Sequence, residues 1–275
     1  MPGFFLFSVD LEDVRSLIPD GMNYKEAVPR CTRLYLDWLD EVNARATFFV
    51  VGETAEAYPG LNREISERGH ELACHTYAHS LVFDHSPESF EADIIRNKEA
   101  ILQSVDVPLR GFRAPMHSLT EQTKWAYPIL KKQGFVYSSS VVPINYPFPG
   151  WPGFHRASWQ EGIYEMPLPT ARPGVSLPFS GGVYFRVLPF ALLPLLFNRF
   201  KDPNGSVVSY LHPYDVDEQQ ERFMHPNLNN NRFFNHLMYL NRNQVFSRLN
   251  RLLRKGWKIL PYHRFLQETG IITEL

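Results

Sequence analysis

The sequence predicts an α/β fold built on a parallel sheet or barrel. Short apolar runs of strand length are each followed by a segment with helical periodicity, and this alternation repeats along the first half of the chain. Strands that alternate with helices form parallel sheets, because each helix crosses back over the sheet before the next strand begins. The 275 residues, 44% of them hydrophobic, are enough for one large domain of this kind or two small ones.

Six strands are predicted from short apolar runs. They cover residues 4–9, 46–51, 71–74, 111–113, 135–137 and 206–211. Four helices are predicted from apolar side chains at helical spacing or from end signals. They cover residues 34–42, 53–68, 86–105 and 120–134. Ser86 and Pro87 open the third helix as its N-cap and first helical residue, whereas Gly69 and Gly134 stop the second and the fourth.

The rest of the chain departs from this rhythm. Residues 143–203 hold many of the 22 prolines, which predicts ordered loops and short strands. The apolar run 183–197 is interrupted and too short to span a membrane, so it is expected to pack in the core or dock on the surface. Residues 222–267 contain several basic residues and no acid. This basic segment is interpreted as a solvated helix face around residues 245–255, with an anionic glycan or membrane contact as the alternative.

No linker cleanly divides the chain, so residues 1–275 are predicted to form a single domain with the basic segment packed on it. The chain has 28 Lys and Arg against 29 Asp and Glu, and this net charge of −1 gives no field that would attract nucleic acid. Cys31 and Cys74 are too few for a disulfide framework. The N-terminal residues lack the basic region and cleavage site of a signal peptide. A cytoplasmic location is expected.

Four polar residues follow predicted strands. Asp10, His75, Arg113 and His212 each stand at the end of an apolar run. Loops at the carboxyl ends of parallel strands converge on one face, which is where α/β proteins place their active sites. These four side chains are therefore predicted to meet in one site.

A metal ion is predicted from the histidines and acids near that site. His75 and His79 are four residues apart, so one helical turn would bring both imidazoles to the same side. Asp10, Glu12 and Asp13 form an acidic cluster whose charges repel unless a cation or an arginine neutralises them. In an extended strand Asp10 and Glu12 share a face and Asp13 points away. Glu12 is therefore favoured as the third ligand, with Asp13 as the alternative.

Two histidines and one carboxylate leave an open coordination position, as in catalytic zinc sites, and predict metal-assisted hydrolysis. Asp10 can stand beside the activated water. Arg113 can pair with Asp10 and hold it ionised as a general base. His212 is a candidate general acid for a leaving amine, since imidazole titrates near neutral pH.

With these residues in place, the chain resembles the metal-dependent polysaccharide deacetylases, carbohydrate esterase family 4, which are homologous to the nodulation-type chitooligosaccharide deacetylases. The matching stretches follow the family's order: SVDLED (8–13), RATFFVVG (45–52), RGHELACHTYAH (68–79), RGFRAP (110–115), GFVYSSS (134–140) and SYLHP (209–213). With GGVYFRVLP (181–189) and the basic segment, the chain is most similar to the subgroup associated with exopolysaccharide or O-antigen synthesis.

The resemblance implies a distorted (β/α) TIM-like barrel of about seven parallel strands. It implies one divalent metal, zinc or else cobalt or nickel, held by a carboxylate with His75 and His79, and hydrolytic removal of acetyl groups from an N-acetylated sugar. Asp10 would be the base, tethered by Arg113. The backbone N–H of Met116 would face the oxyanion, and His212 would protonate the leaving amine.

The first motif differs from the family's usual pair of adjacent aspartates. The fourth motif usually supplies an aspartate that supports the acid histidine, and this sequence has the uncharged Ser138 there. Substrate contacts are predicted from side chains near the motifs. Tyr77, Tyr184 and Phe185 could stack on sugar rings, and Arg186 could hold a phosphate or a uronic acid.

The sequence therefore predicts an N-deacetylase acting on a polysaccharide or on a lipid- or nucleotide-linked glycan. A cyclic amide or imide hydrolase on the same fold is one alternative. A catalytically inactive carbohydrate-binding protein is the other, motivated by Ser138 and by the unusual first motif.

Overall fold

The computed structural model describes residues 3–145, 149–171 and 177–273. The strands are β1 (Phe4–Leu6), β2 (Ser8–Leu11), β3 (Thr47–Val50), β4 (Glu71–Cys74), β5 (Gly111–Phe112), β6 (Tyr137–Ser138), β7 (Ser158–Gln160), β8 (Ile163–Glu165), β9 (Thr170–Ala171), β10 (Leu177–Pro178), β11 (Ser206–Val208) and β12 (Lys258–Ile259). The α-helices are α1 (Val28–Glu41), α2 (Gly52–Ala57), α3 (Pro59–Glu67), α4 (Pro87–Leu102), α5 (Ala126–Lys132), α6 (Gly182–Val187), α7 (Leu193–Phe200), α8 (Arg232–Leu237), α9 (Val245–Arg254) and α10 (Tyr262–Glu268). Short 3-10 helices cover Val14–Leu17, Gly21–Asn23, Val82–Asp84, Pro115–His117, Pro213–Val216 and Arg242–Gln244.

The larger sheet contains seven strands in the order β2-β3-β4-β5-β6-β8-β7. Every neighbouring pair from β2 to β8 is parallel, and β7 runs antiparallel to β8. Asp10 in β2 lies opposite Phe49 in β3, and Cys74 at the end of β4 lies opposite Phe112 in β5. The residues that follow these strands are thus brought to the same edge of the sheet.

A second, smaller sheet continues the first. It has three parallel strands in the order β11-β1-β12, and only Phe7 separates β1 from β2. An isolated parallel bridge joins Val9 to Leu211, beyond β11. The predicted α/β fold with a mostly parallel sheet is confirmed. Within the described residues, however, the strands form two principal sheets joined through β1 and β2, and a closed ring of seven parallel strands is not seen.

The core is built from the first strands and the helices that cover them. The ring of Phe7 packs 5.9 Å from Tyr35 and 5.7 Å from Trp38, both on α1. Phe246 of α9 packs on the same two rings at 5.6 and 5.7 Å. The basic C-terminal segment therefore shares the core with the N-terminal strand. The expected solvated face of residues 245–255 is only partial, because Arg248 is buried there.

Three element predictions need correction. Residues 53–68 form two helices broken at Tyr58, because Pro59 begins a new helix. The helix expected from residue 120 begins only at Ala126. Residues 143–203 contain α6 and α7 as well as short strands, because Pro194 lies in the first turn of α7, where proline is tolerated. Parts of that region, 146–148 and 172–176, lie outside the described residues. Across the part of the chain that is described, no helix has the length and apolar character needed to cross a bilayer.

Candidate active site

The predicted polar residues converge at the carboxyl ends of the parallel strands. Asp10 and Glu12 come from the end of β2, His75 follows β4, Arg113 follows β5, and His212 follows the bridge residue after β11. Asp10, Glu12, His75 and Arg113 are buried, so their charges and hydrogen bonds act in a site largely closed to water. The sheet thus assembles the residues that the sequence had singled out separately.

Glu12, His75 and His79 form a candidate metal centre. One ligand atom from each lies within 4.8 Å of the others. Nε2 of His79 is 2.6 Å from Oε2 of Glu12, yet that carboxylate oxygen makes no hydrogen bond among the described residues. Burial alone would raise the pKa of Glu12, but the nearby His79, His212 and His75 lower it to about 2. A buried anion with an unsatisfied oxygen beside two imidazoles fits a divalent cation.

The tautomer of His75 supports the same assignment. Its Nδ1 donates a hydrogen bond to the backbone carbonyl of Arg113 at 2.8 Å. That bond leaves the lone pair on Nε2, which lies 4.0 Å from Oδ2 of Asp10. Burial lowers the pKa of His75 to about 4, so the ring is neutral and able to act as a ligand.

The predicted helical turn between His75 and His79 is wrong. The segment is a loop after β4, and both Thr76 and His79 have left-handed backbones, with φ of 58° and 55°. The loop still brings the two rings together, with centroids 5.1 Å apart. Left-handed geometry at non-glycine residues costs free energy, of order 1–3 kcal/mol each, and persists only where other contacts impose it.

Helix α4 supplies those contacts. Oδ1 of Asp93 accepts a hydrogen bond from the backbone N–H of Tyr77 at 2.8 Å. Nδ2 of Asn97 donates to the carbonyls of Thr76 at 2.7 Å and Val50 at 3.0 Å. These two residues lie one turn apart on α4, so the helix binds the loop at two neighbouring backbone groups, the carbonyl of Thr76 and the N–H of Tyr77.

Asp13, the alternative ligand, is engaged elsewhere. Its Oδ2 accepts from Nη2 of Arg15 at 2.6 Å, and its Oδ1 accepts from the backbone N–H of the same residue at 3.0 Å. Asp13 therefore caps the 3-10 helix Val14–Leu17 and is neutralised by an arginine. The structure places Glu12, and not Asp13, beside the two histidines.

Asp10 is paired with Arg113. Nη1 of Arg113 donates to Oδ1 of Asp10 at 2.6 Å, and Oδ2 of Asp10 lies 4.0 Å from Nε2 of His75. Burial would raise the pKa of Asp10, but the charge of Arg113 and of the surrounding histidines holds it below its usual value. The carboxylate is therefore ionised at neutral pH, with one oxygen held by the arginine and the other facing the metal centre.

Arg113 is fully buried and bound on all sides. Its guanidinium lies 4.0 Å from the ring of Phe49. Besides Asp10, the hydrogen-bond acceptors of its three nitrogens are Ser8 Oγ, Ser139 O and Oγ, Ser209 O and Tyr262 Oη, at 2.6 to 3.2 Å. These acceptors come from β2, from the loops after β6 and β11, and from α10, so one side chain ties together the interior of the fold.

His212 has a carboxylate partner that the sequence analysis did not identify. Nδ1 of His212 is 3.0 Å from Oδ2 of Asp215, which also accepts the backbone N–H of His212 at 2.8 Å. Burial alone would lower the pKa of His212, but this bond and the charges of Glu12 and Asp215 raise it to about 9. Ser138, at the position where an aspartate was expected, instead donates to Ser140 at 2.7 Å. An acid three residues after the histidine, in the sequence His212-Pro213-Tyr214-Asp215, was the available sequence signal.

Three predicted substrate contacts are wrong. Tyr77 is buried, and its hydroxyl binds Glu56 while Arg96 covers its ring at 3.5 Å. Phe185 is a core residue with 1% of its surface exposed. Arg186 is also fully buried, and each of its guanidinium nitrogens has a partner within the chain. Their aromatic and cationic side chains suit sugar and anion binding, but the sequence does not distinguish a buried side chain of that kind from an exposed one. Tyr184 is half-buried on α6, and its substrate contact stays a prediction.

The loop after β5 is strained at the proposed oxyanion donor. Met116 and His117 have φ of 53° and 52°, and Met116 is half-buried. His117 is buried, its Nε2 has no partner among the described residues, and burial with the charge of Arg113 lowers its pKa to about 3. Such strain is concentrated at functional sites. The role of the Met116 N–H stays a prediction.

A cleft opens beside the metal centre. It begins at Glu12 and is lined by Arg15, Tyr24, Arg30, Tyr214 and Phe223, among others. The ring of His212 stacks on Tyr214, with centroids 4.6 Å apart and planes 9° from parallel. The cleft thus includes the candidate metal ligand Glu12 and also Tyr214, the residue on which the candidate acid is stacked. It offers aromatic and charged side chains of the kind that sugar-binding sites use.

Two family matches cover most of the chain. Residues 19–137 match the polysaccharide deacetylase family, and residues 139–260 match a domain of unknown function, DUF3473. Asp10 and Glu12 precede the first match, which contains His75, His79 and Arg113. His212 lies in the second. The candidate site is thus assembled from both matched regions and from the segment that precedes them.

Curated relatives include two deacetylases. A peptidoglycan-N-acetylglucosamine deacetylase of Bacillus cereus is 33% identical over 182 residues, 61% of this chain and 63% of that protein. A chitooligosaccharide deacetylase of Rhizobium leguminosarum bv. trifolii is 37% identical over 167 residues, 59% of this chain and 68% of that protein. The chain thus spans less than two thirds of the length of the first relative. Among solved structures, a CE4 family pseudoenzyme from Bacillus anthracis has a similar fold, with a TM-score of 0.56 at 11% identity over 96% of this chain and 66% of that one.

Proposed function

The chain belongs to the polysaccharide deacetylase family, carbohydrate esterase family 4, and from this premise we propose that it is a metal-dependent hydrolase that removes N-acetyl groups from an amino sugar. The observation that carries the proposal is the placement of an ionised, arginine-held Asp10 beside a Glu12, His75 and His79 cluster, with His212 across from it. This is the set of groups that metal-assisted amide hydrolysis requires: a base, a metal site and an acid.

Glu12, His75 and His79 would hold the metal ion. When bound, a divalent cation supplies a Lewis acid that polarises the acetyl carbonyl and lowers the pKa of a water molecule. Two imidazoles and one carboxylate with room for substrate favour zinc, with cobalt or nickel as alternatives. The hydrogen bond from His75 to the Arg113 carbonyl keeps its Nε2 available as a ligand atom.

Asp10 acts as the general base. Arg113 holds its Oδ1, which leaves Oδ2 to accept the proton of the attacking water. Because its pKa lies below the usual value, Asp10 is ionised over the whole neutral range. The water oxygen bonds to the acetyl carbon, and the backbone N–H of Met116 donates to the oxygen that becomes negative there.

His212 acts as the general acid. Its Nδ1 is bound to Asp215, so its Nε2, 3.9 Å from Oε1 of Glu12, is the nitrogen that faces the site. With a pKa near 9 the ring is protonated at neutral pH. It gives its proton to the sugar nitrogen as the carbon–nitrogen bond breaks, which releases acetate and a free amine. Asp215 also weakens the motive for an inactive carbohydrate-binding protein, because it offers the support that Ser138 lacks.

The substrate follows from the relatives and from the cleft. The curated relatives are named for peptidoglycan N-acetylglucosamine and for chitooligosaccharides. We therefore propose an N-acetylated amino sugar within an oligosaccharide, with an exopolysaccharide or O-antigen precursor as the finer assignment. Tyr24 and Tyr214 in the cleft provide ring faces for sugars. Cys31 and Cys74, both buried and unpaired, agree with the proposed cytoplasmic location.

Acetate release by wild-type protein and by Asp10→Asn tests the proposal. Zinc-loaded wild type is expected to release acetate from N-acetylglucosamine oligomers. The variant should lose at least about 100-fold in kcat while it keeps its metal, because Asp10 is not among the ligands. Asp106→Asn, an exposed acid in a loop, is the matched control. Wild-type turnover in Asp10→Asn would show that the base is assigned wrongly, and turnover of cyclic amides alone would favour the alternative hydrolase.

We also propose contact with an anionic membrane surface through α7 and α9. Leu192 and Leu195 are 44% and 65% exposed, and the guanidinium of Arg251 lies 4.6 Å from the ring of Phe190, which joins the two helices into one surface. Residues 166–201 and 222–267 contain basic residues and no acid, so this surface combines exposed leucines with segments of net positive charge.

Co-sedimentation with vesicles tests that contact. Binding to phosphatidylglycerol-containing vesicles is expected and should weaken severalfold in Leu195→Glu. It should stay unchanged in Leu102→Glu, an exposed leucine on α4. Equal binding by both variants, or dimerisation through the same surface, would contradict a membrane role.

A further inference from the structure

Residues 139–260, which match a domain of unknown function, carry a buried arginine that the reaction as described does not use. We propose that this region supplies the acid half of the catalytic site, in which Arg186 is a positioning residue that fixes Asp215, and Asp215 orients the imidazole of His212. This inference rests on the proposed function, because His212 must protonate a leaving amine for the arrangement to matter.

Asp215 connects the other two residues through separate oxygens. Its Oδ2 accepts hydrogen bonds from Nδ1 and from the backbone N–H of His212, and its Oδ1 accepts from Nε of Arg186 at 2.9 Å. Rotation of the carboxylate would break bonds on both sides. The carboxylate therefore fixes the direction of the ring and keeps Nε2 facing the site.

Arg186 is held as firmly as Asp215. Its Nη1 donates to the carbonyl of Leu240 at 2.5 Å and its Nη2 to the carbonyl of Met238 at 3.1 Å. The backbone carbonyl of Arg186 accepts a hydrogen bond from Nδ2 of Asn241 at 3.0 Å. Arg186 and Asp215 are both fully buried. Without the guanidinium, the buried Asp215 anion would lose the cation that binds its Oδ1, and only the histidine and the charge of Arg242 would remain to balance it, which is unfavourable.

This ion pair compensates for the serine at position 138, where the family usually has an aspartate that supports the acid histidine. Ser138, the position expected to support the acid histidine, lies between the two matched regions and carries a hydroxyl that is bonded to Ser140. The carboxylate comes instead from the region matched to the domain of unknown function, together with the arginine and the acid itself. That region is therefore a part of the catalytic site and not an appendage to it.

The leaving group gives a way to separate a role in proton donation from a role in folding. An amine must be protonated as it leaves, whereas 4-nitrophenolate leaves as a stable anion near neutral pH and needs no acid. Loss of His212 orientation should therefore slow N-deacetylation far more than it slows hydrolysis of 4-nitrophenyl acetate. General damage to the metal site would slow both reactions equally.

The experiment compares Arg186→Gln, Arg186→Lys and Arg248→Gln in zinc-loaded full-length protein. Arg248 is a matched control, because it is a buried arginine of the same region whose Nη1 donates to the carbonyls of Phe185 and Leu188. In Arg186→Gln, kcat on N-acetylglucosamine oligomers is expected to fall about 100-fold, with kcat on 4-nitrophenyl acetate within about threefold of wild type. Arg186→Lys, which keeps the charge, should recover part of the loss.

Equal loss on both substrates, or the same ratio of losses in Arg186→Gln and Arg248→Gln, would overturn the inference and assign Arg186 a structural role. If Arg186→Gln does not fold, the ratio in Arg186→Lys decides in the same way. If wild type releases no acetate from any glycan, the proposed function fails, and crystal structures of wild type and Arg186→Gln then test the positioning role alone. An unchanged hydrogen bond between His212 and Asp215 in Arg186→Gln would overturn the inference.

Discussion

The backbone carbonyl of Arg113 accepts a hydrogen bond from Nδ1 of His75 at 2.8 Å, and the guanidinium of the same residue binds Asp10 at 2.6 Å. One residue thus orients a metal ligand through its main chain and the proposed base through its side chain. The positions of base and ligand are consequently coupled. A change at Arg113 should disturb both proton transfer and the metal centre.

Arg113→Lys tests that coupling. Lysine keeps the charge but cannot reach the five acceptor residues that the guanidinium binds, so buried oxygens lose their partners. We expect a loss of about 1–3 kcal/mol in the free energy of unfolding and about a 100-fold loss in kcat from misplacement of Asp10. Urea denaturation and acetate release measure the two effects. Arg33→Lys, an exposed arginine paired with Glu64, should change neither. A wild-type kcat in Arg113→Lys would show that the pair of Arg113 and Asp10 is not needed for catalysis.

Metal content distinguishes the two candidate carboxylate ligands. Glu12→Gln should lose zinc, because it removes the charge that faces both histidines. Asp13→Asn should retain zinc and lose no more than about 1 kcal/mol of stability, since asparagine is also a good N-cap. Mass spectrometry of the two proteins purified identically, without a histidine tag, gives the comparison. Zinc retained in Glu12→Gln but lost in Asp13→Asn would reverse the assignment.

The strand ends and their polar residues could be predicted because they depend on local patterns. An apolar run followed by Asp10 or His75 is visible in the chain, and parallel strands bring such residues to one edge. The conformation between His75 and His79 could not be predicted, because it is imposed from a distance. Thr76 and His79 have left-handed backbones in a loop that α4 holds through the hydrogen bond from Asn97 to the Thr76 carbonyl. No residue within the loop indicates from the sequence that this contact forms.

The support of His212 illustrates a second limit. Arg186 and Asp215 are 29 residues apart, and nothing in the sequence marks them as a pair. An arginine after two aromatic residues has the same sequence pattern on a surface as in a core, so the sequence alone does not separate a substrate contact from a buried ion pair. In the structure Arg186 is buried and binds Asp215. The Asp215 to His212 spacing was visible, but its meaning depends on the tight turn that begins at Pro213.

Asn97 provides a test of how far α4 controls the metal centre. Asn97→Ala removes two buried hydrogen bonds to the histidine loop and its neighbouring strand, at a cost of about 1–3 kcal/mol of stability. Because the loop positions His75 and His79, zinc affinity should fall about 10- to 100-fold. Competition with a chelator measures the affinity. Asn198→Ala, which removes an exposed bond to the Pro194 carbonyl, is the control. Unchanged zinc affinity in Asn97→Ala would mean that the loop holds its conformation alone.

The pH dependence of kcat tests the role of Asp215. His212 must carry a proton to act as the acid, so wild-type kcat should fall as pH rises through its pKa. Burial would lower that pKa, but Asp215 and Glu12 raise it to about 9. A bound cation reduces the contribution of Glu12, so the basic limb of the pH profile, where kcat falls as pH rises, should lie at or below pH 9. In Asp215→Asn the hydrogen bond and the charge of Asp215 are lost, and the limb should move about 1–3 units toward lower pH.

The same substitution makes a matching prediction for stability. A histidine whose pKa is raised by folding stabilises the protein fully below its unfolded pKa of about 6.5, and this contribution is lost as pH rises through the folded pKa. Metal-free wild type should therefore lose stability between about pH 6.5 and 9, and Asp215→Asn should lose less over that window. Asp217→Asn is the control, because Asp217 pairs with Arg30 and not with His212. The same control serves for the pH profile of kcat. If the fall of kcat at high pH stays at the same pH in Asp215→Asn but moves in Asp217→Asn, Asp215 does not set the protonation of His212.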